Sequence, residues 1–275
     1  MASGSLRVAL VQMDIALGEP DDNRAHAADL VRIAAHGSDL VVLPEMWTTG
    51  YCLPRLKGGL ADRELKPTGA LLSSLAKEGK VFLAGSVANE IGEKVYNTMT
   101  VHSPEGELLS AYDKVHLVPM MDEEKWLAPG ERLATCEIGG VRAGLSICYD
   151  LRFPELFRSL ALAGTEMFVM PAEWPAARIS HWTKLVQARA IENQAFVVAC
   201  NRVGSDDKNT FPGMSLVADP MGEIVAQAEG REQVLRAELD FAVLEEFRAK
   251  VPVFKDRRPD VYQEVQSKLS GDEHD

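Results

Sequence analysis

The run Asp39-Leu-Val-Val-Leu43 sets four apolar residues in succession, without the alternation of a strand that has one wet face. It is too short for a buried helix. It therefore predicts a strand covered on both sides, as happens where helices pack over a sheet with parallel strands. The flanking patterns agree. Leu6 to Met13 reads as a strand, and Asp22 offers an N-cap for an Ala-rich helix ending near Gly37. A helix is expected from Thr68 to Glu78, then a hairpin pairing Val81–Glu90 with Val95–His102 around EIGEK, and a strand from Leu108 running on to Leu117. Gly139-Gly140 joins two more strands, the second being Val141 to Cys148. Helices are predicted over Phe153–Leu162, Arg178–Gln194 and Phe241–Lys250, with strands over Glu166–Pro171, Ala195–Val203 and Val234–Leu239 and a hairpin at Asp219-Pro-Met-Gly222. Strands alternating with helices and hairpins imply an α/β fold in layers with mixed sheets.

No repeat, low-complexity tract or linker divides the sequence, so residues 1–275 read as one domain with an extended tail over 251–275. With 46% hydrophobic residues, a chain of this length can bury a large core. No apolar stretch is long enough for a membrane span. MASGSLRVALVQMD does not resemble a secretory signal, and the scattered Cys52, Cys136, Cys148 and Cys200 suit reduced thiols; both point to a cytoplasmic protein. The formal net charge of −12 argues against nucleic acid or anionic membranes as partners.

The most informative stretch is Gly144-Leu-Ser-Ile-Cys-Tyr-Asp-Leu-Arg-Phe-Pro-Glu155. An apolar strand stops at Cys148, and Pro154 suits the first turn of a helix. A strand-to-helix turn exposes nucleophiles in other hydrolases. Amides at a helix N-terminus would lower the thiol pKa, and the Tyr149 N–H would be available to an oxyanion. A cysteine that ends an apolar strand is ordinarily an inert core residue, and Cys200 in AFVVACN is read that way. Cys148 needs activating partners to be anything more. None of the six histidines has a telling neighbour, and none has metal-ligand spacing, so no metal is expected. Two charges do stand out. Glu45 in Leu43-Pro-Glu-Met46 follows the doubly buried strand, and Lys114 in Asp113-Lys-Val-His-Leu117 sits in an apolar-flanked strand. Alone, either would be a surface residue; a Lys–Glu–thiol cluster lets each charge offset another.

LPE with Glu45, DKVHL with Lys114 and SICYDLRFPE with Cys148 resemble, in order, the catalytic segments of the nitrilase (carbon–nitrogen hydrolase) superfamily. RVALVQMD, LAPGE, ARAIENQ and VPVFKDRRPDVY extend the resemblance over nearly the whole chain. It implies a four-layer α-β-β-α sandwich that pairs into homodimers or larger homo-oligomers. It also implies Glu45 as general base, Lys114 as cation and Cys148 as nucleophile. A second glutamate stands in that family six residues before the proline of its xPG segment. Pro129 makes this Glu123, with Glu124 beside it leaving the register open.

Such a set attacks a small amide through a thioester and needs no cofactor. VPVFKDRRPDVY and CYDLRFPE resemble the ω-amidase branch, whose substrates are ω-amides of dicarboxylates such as 2-oxoglutaramate. Pro171-Ala-Glu-Trp-Pro175 and the segment through Tyr51 depart from its animal members. Arg152 or Arg178 could neutralise a substrate carboxylate, although salt bridges elsewhere are the default for both. Tyr51, Tyr149 and Trp174 could line an apolar slot. The alternatives are a nitrilase or N-carbamoyl-amine hydrolase using the same residues, and a catalytically silent binding protein. A glutaminase module fits poorly, because 275 residues leave no room for a synthetase.

Overall fold

A computed structural model describes residues 4–262. Its layering is visible in the first strand, β1 (Ser5–Gln12). Leu6, Val8 and Leu10 enter one apolar cluster, whereas Ala9 and Val11 enter another. With a side-chain period of two, β1 can serve two cores only because both of its faces are covered.

The first sheet contains β1, β2 (Leu40–Val42), β3 (Asp62–Arg63), β4 (Phe82–Ile91), β5 (Lys94–His102) and β6 (Leu108–Asp113). The second contains β7 (Thr135–Ile138), β8 (Val141–Leu145), β9 (Met167–Ala172) and β10 (Phe196–Asn201). A separate hairpin, β11 (Val203–Ser205) with β12 (Thr210–Pro212), precedes β13 (Leu216–Ala218) and β14 (Ile224–Gln227), which extend the second sheet. β15 (Gln233–Asp240) then returns to pair antiparallel with β1. The sheet orders are β15-β1-β2-β4-β5-β6, with β3 beside β4, and β14-β13-β10-β9-β8-β7. Both are mixed. β1, β2 and β4 run parallel with β3 beside β4 also parallel, as do β8, β9 and β10, while β15, β5, β6, β7, β13 and β14 pair antiparallel.

Helices α1 (Pro20–Ala35) and α2 (Thr68–Gly79) cover the outer face of the first sheet, burying Ala27, Val31, Leu72 and Leu75 against Ala9, Val41 and Leu83. Between the sheets and beyond the second one lies a larger cluster. It takes Phe157 and Leu160 from α4 (Pro154–Leu162) and Trp182 and Val186 from α5 (Ile179–Asn193). The short α3 (Glu123–Trp126) lies in a loop, and α6 (Phe241–Lys250) follows β15, capped by Asp240, whose carboxylate accepts the Ala242 N–H at 3.0 Å. The protein is therefore the α-β-β-α sandwich expected from the resemblance.

Several elements differ from the sequence reading for local reasons. α1 starts at Pro20, not after Asp22, because proline at the first helical position needs no N–H partner; Asp21 and Asp22 lie in its first turn. The segment Leu108–Leu117, expected to run as strand into a loop with Lys114 still in the strand, leaves the strand at Asp113. Lys114 is therefore past the strand end, though its N–H still donates to Asn97 O at 2.9 Å. The strand over Ala195–Val203 is interrupted at Arg202, whose side chain is buried. The tail is held at its start: Gln194 Nε2 donates to Val251 O, and the guanidinium carbons of Arg158 and Arg248 lie 5.4 and 5.5 Å from the Phe254 ring centroid. Residues 263–275 of the expected tail lie outside the described residues.

The Lys114 loop depends on a close backbone approach. Gly130 N–H donates to Lys114 O at 2.8 Å, and a β-carbon at Gly130 would overlap the Asp113 carbonyl oxygen. Gly130→Ala is thus expected to cost about 1–3 kcal/mol, since the clash is with backbone that must shift. A urea midpoint equal to that of the unaltered protein would contradict this.

Candidate active site

Cys148 heads a 3₁₀ turn (Cys148–Arg152) just beyond β8 and has a φ of +43°, a strained conformation for a residue with a β-carbon. Asp150 holds the turn. Its Oδ2 accepts the Ile147 N–H at 2.8 Å and the Tyr112 O–H at 2.7 Å; its Oδ1 accepts the His116 N–H at 3.2 Å and lies 2.8 Å from His116 Nδ1. His116 stacks on Phe153 with ring centroids 3.6 Å apart. Asp150 is thereby a clamp between the Cys148 turn and the loop carrying Lys114. Sequence reasoning missed this link, because nothing in DKVHL marks His116 as the partner of a residue 34 positions away.

Glu45 projects from the end of β2, where Met46 turns the backbone at φ +41° and donates its N–H to Ser86 Oγ. Glu45, Lys114 and Glu123 are all wholly buried. Lys114 Nζ donates to Glu45 Oε1 and to Glu123 Oε1, each at 2.8 Å. Glu45 Oε1 also accepts from Asn97 Nδ2 at 2.8 Å, and its Oε2 accepts the Glu173 N–H at 2.8 Å. Glu123 Oε2 accepts the Val118 N–H at 2.8 Å. Glu124, its neighbour, is exposed, so the carboxylate that reaches Lys114 is that of Glu123.

Tyr51, a candidate slot-lining residue, lines a pocket with Met120, Met121 and Trp126, and it also reaches the buried charges. Its O–H lies 2.5 Å from Glu123 Oε1 and 2.9 Å from Glu45 Oε1, and its oxygen accepts from Lys114 Nζ at 3.2 Å. It is a polar member of the charged cluster. Burial, then the charges of Glu123 and Glu45, push its ionisation far up, so it remains a donor.

The electrostatics follow from one cation among several acids. Burial by itself would lower the Lys114 ammonium, but Glu123 and Glu45 more than offset this and hold it charged well above the ordinary lysine range. Burial raises the Glu123 carboxyl, Lys114 opposes that, and Glu45 adds to it. For Cys148 the outcome reverses the sequence expectation. Burial pushes the thiol well up, the Glu45 carboxylate pushes it further, and Lys114 only partly compensates. The helix that was to lower it begins at Pro154, six positions on, and a helix terminus acts only within its own turn. The resting group is therefore a neutral thiol.

The cleft above Cys148 is lined by Tyr149, Arg152, Glu173, Trp174, Arg178 and the Met120–Met121 segment. Tyr149 packs edge-on against Phe153, and its N–H lies in the first turn of the 3₁₀ segment, where N–H groups have no partner within the turn. Trp174 is buried, with its indole N–H on Arg178 O at 2.8 Å. The Arg152 guanidinium carbon sits 4.7 Å from the Trp174 ring centroid and 5.8 Å from that of Tyr149. Among the described residues neither Arg152 nor Arg178 forms an ion pair; their side-chain hydrogen bonds go to His181 Nδ1 and Met120 Sδ. The salt bridges taken as their default fate are not made. Among the described residues there is also no cluster of His, Cys, Asp and Glu arranged to hold a metal ion.

The model of the carbon-nitrogen hydrolase family matches residues 7–249. A 2-oxoglutaramate amidase of Bacillus subtilis is 41% identical over 93% of this chain and 98% of its own. The human omega-amidase is 34% identical over 94% and 97%. Among solved structures, a CN-hydrolase superfamily protein from Xanthomonas campestris, bearing an arsenic adduct in its active site, superposes with a TM-score of 0.88 at 33% identity, covering 93% of this chain and 98% of that one. Matched over nearly its whole length by family, relatives and fold alike, the chain belongs to the carbon-nitrogen hydrolase family.

Proposed function

We propose that the protein is an amidase that releases ammonia from the terminal amide of a small carboxylate-bearing substrate such as 2-oxoglutaramate, with Glu45, Lys114 and Cys148 as its catalytic residues. The observation that carries the substrate is the pair of guanidiniums, Arg152 and Arg178, that line the Cys148 cleft without an acidic partner among the described residues. Two unpaired cations beside a nucleophile suit an anionic substrate and disfavour a neutral one. The names of the amidase relatives support the same reading.

In this reading Glu45 takes the proton of Cys148, and the thiolate attacks the amide carbon. The carbonyl oxygen becomes an oxyanion, stabilised by Lys114 Nζ and the Tyr149 N–H. Glu45 passes its proton to the departing nitrogen, releasing ammonia and leaving a thioester. It then takes a proton from water, whose oxygen attacks the thioester, and returns that proton to the thiolate when the acid leaves. Glu123, with Tyr51, keeps Lys114 in place between these steps. No cofactor enters. Homo-oligomeric assembly and a cytoplasmic location complete the proposal, supported by the resemblance and by four free cysteines.

Of the four cysteines, only Cys148 should be essential. Cys148→Ala is expected to abolish ammonia release, while alanine at Cys52, Cys136 or Cys200 leaves it; turnover by Cys148→Ala would end the mechanism. Lys114→Arg should reduce kcat rather than raise KM, by about 10²–10³-fold, since a planar fork cannot reproduce the donors of an ammonium and the oxyanion exists only after attack. A pure KM effect would refute the assigned role.

The substrate assignment is checked by comparing succinamate with uncharged butyramide. Contact with a guanidinium should favour succinamate by about 2–3 kcal/mol, or roughly 30- to 150-fold in kcat/KM. Replacing both Arg152 and Arg178 by Met should erase that preference. Equal rates on the two substrates in the unaltered enzyme, or a preference for a nitrile or a carbamoyl-amine, would defeat the assignment.

The tail contributes Val261 and Tyr262, which are 40% and 52% exposed and suit burial against a second copy. Light scattering on a chain ending at Lys250 should show a smaller assembly. An unchanged one would refute a role for the tail.

A further inference from the structure

Glu173 has no part in the steps above, yet it forms part of the cleft wall. It follows β9 directly and is wholly buried. Its Oε2 accepts from Arg202 Nη1 at 3.0 Å, but its Oε1 has no partner. Arg202 is shared: its Nη2 donates to Ile15 O at 2.8 Å and to Asp14 Oδ1 at 3.3 Å. A buried carboxyl oxygen without a partner is costly and uncommon, and in the wall of a ligand cleft the natural partner is the ligand. Its placement beside the chemistry is fixed, because its own N–H is the donor to Glu45 Oε2.

We propose that Glu173 is a substrate-binding residue whose free Oε1 donates, as the O–H of a neutral carboxyl, to the carboxylate of the substrate's acyl chain. The inference rests on the anionic substrate proposed above. An ionised Glu173 would repel that carboxylate and would hold Arg152 and Arg178 for itself; a neutral one adds a short charge-assisted hydrogen bond and leaves both cations to the substrate. The surroundings favour the neutral form. Burial raises the Glu173 carboxyl, Arg202 holds it down, and Glu45 raises it again, with the result at about 8. Asp206, beyond β11, adds a further upward push. Arg152, Arg178 and Cys148 line the same cleft, and His181 touches Arg152.

The sign of the pH dependence follows. Below about 8 the carboxyl carries its proton and donates; above it, the group is charged and repels. The kcat/KM for succinamate, divided by that for butyramide, should therefore fall by roughly tenfold to a hundredfold between about pH 6 and about pH 10. Taking the ratio cancels titrations common to both substrates, including that of Cys148. In Glu173→Gln the Arg202 donor keeps the amide oxygen, the amide NH₂ faces the cleft, and no proton can be lost. Its ratio should stay flat over the same range, a readout that a merely structural role would not move. A flat ratio in the unaltered enzyme, or an unchanged fall in Glu173→Gln, overturns the inference while leaving the anionic substrate standing. Absence of any succinamate preference at every pH overturns both.

Discussion

One ammonium group, Lys114 Nζ, lies 2.8 Å from two carboxylate oxygens on different loops, and none of the three side chains reaches water. An isolated charge at that depth would cost several kcal/mol or simply neutralise. Here each charge is tolerated because the others are present: deleting Lys114 leaves two buried carboxylates without their cation, at a cost of about 3–5 kcal/mol. The surroundings fall in line with that demand. Asn97 and the Glu173 N–H satisfy Glu45, the Val118 N–H satisfies Glu123, and Tyr51 bridges the two acids. The Asp113–Gly130 contact keeps Lys114 at the right height.

The sandwich supplies those positions through its strand ends. Glu45 follows β2, Lys114 follows β6, Cys148 comes shortly after β8 and Glu173 follows β9. Parallel strands at the centre of each sheet deliver their carboxyl ends to one side, where loops can converge without breaking a ladder. The two apolar faces of every central strand then do for precision what a loop alone could not. They make the last residue of each strand as rigid as the core beneath it.

The layers were legible in the sequence because they rest on hydrophobic periodicity, and a run such as Leu40–Val42 has few ways to be buried. Glu45, Lys114, Cys148 and Glu123 were found through ordered short motifs rather than through periodicity, and the structure brings all four side chains into one place. Residues whose meaning lies in distant partners could not be found that way. Asp150 and His116 form a clamp across 34 positions, and Asn97 reaches Glu45 across 52. The thiol pKa was read in the wrong direction for a related reason. The sequence displays the following helix, whereas burial and the Glu45 carboxylate, which outweigh it, exist only in the fold.

The raised thiol changes how the reaction balances its charge. Glu45 and Glu123 share a buried site with Lys114, and the other buried cation beside it among the described residues, Arg202, is taken up by Glu173 and Asp14. A resting thiolate would add another anion to a site already short of positive charge. A neutral thiol avoids this, because passing its proton to Glu45 leaves the total charge of the cluster unchanged. In the proposed reaction the anionic sulfur then appears only when an electrophilic carbon is there to consume it, and the charge moves on to an oxygen facing Lys114. In that reaction a thiol that rests neutral and one that ionises on meeting substrate are two consequences of the same buried carboxylate.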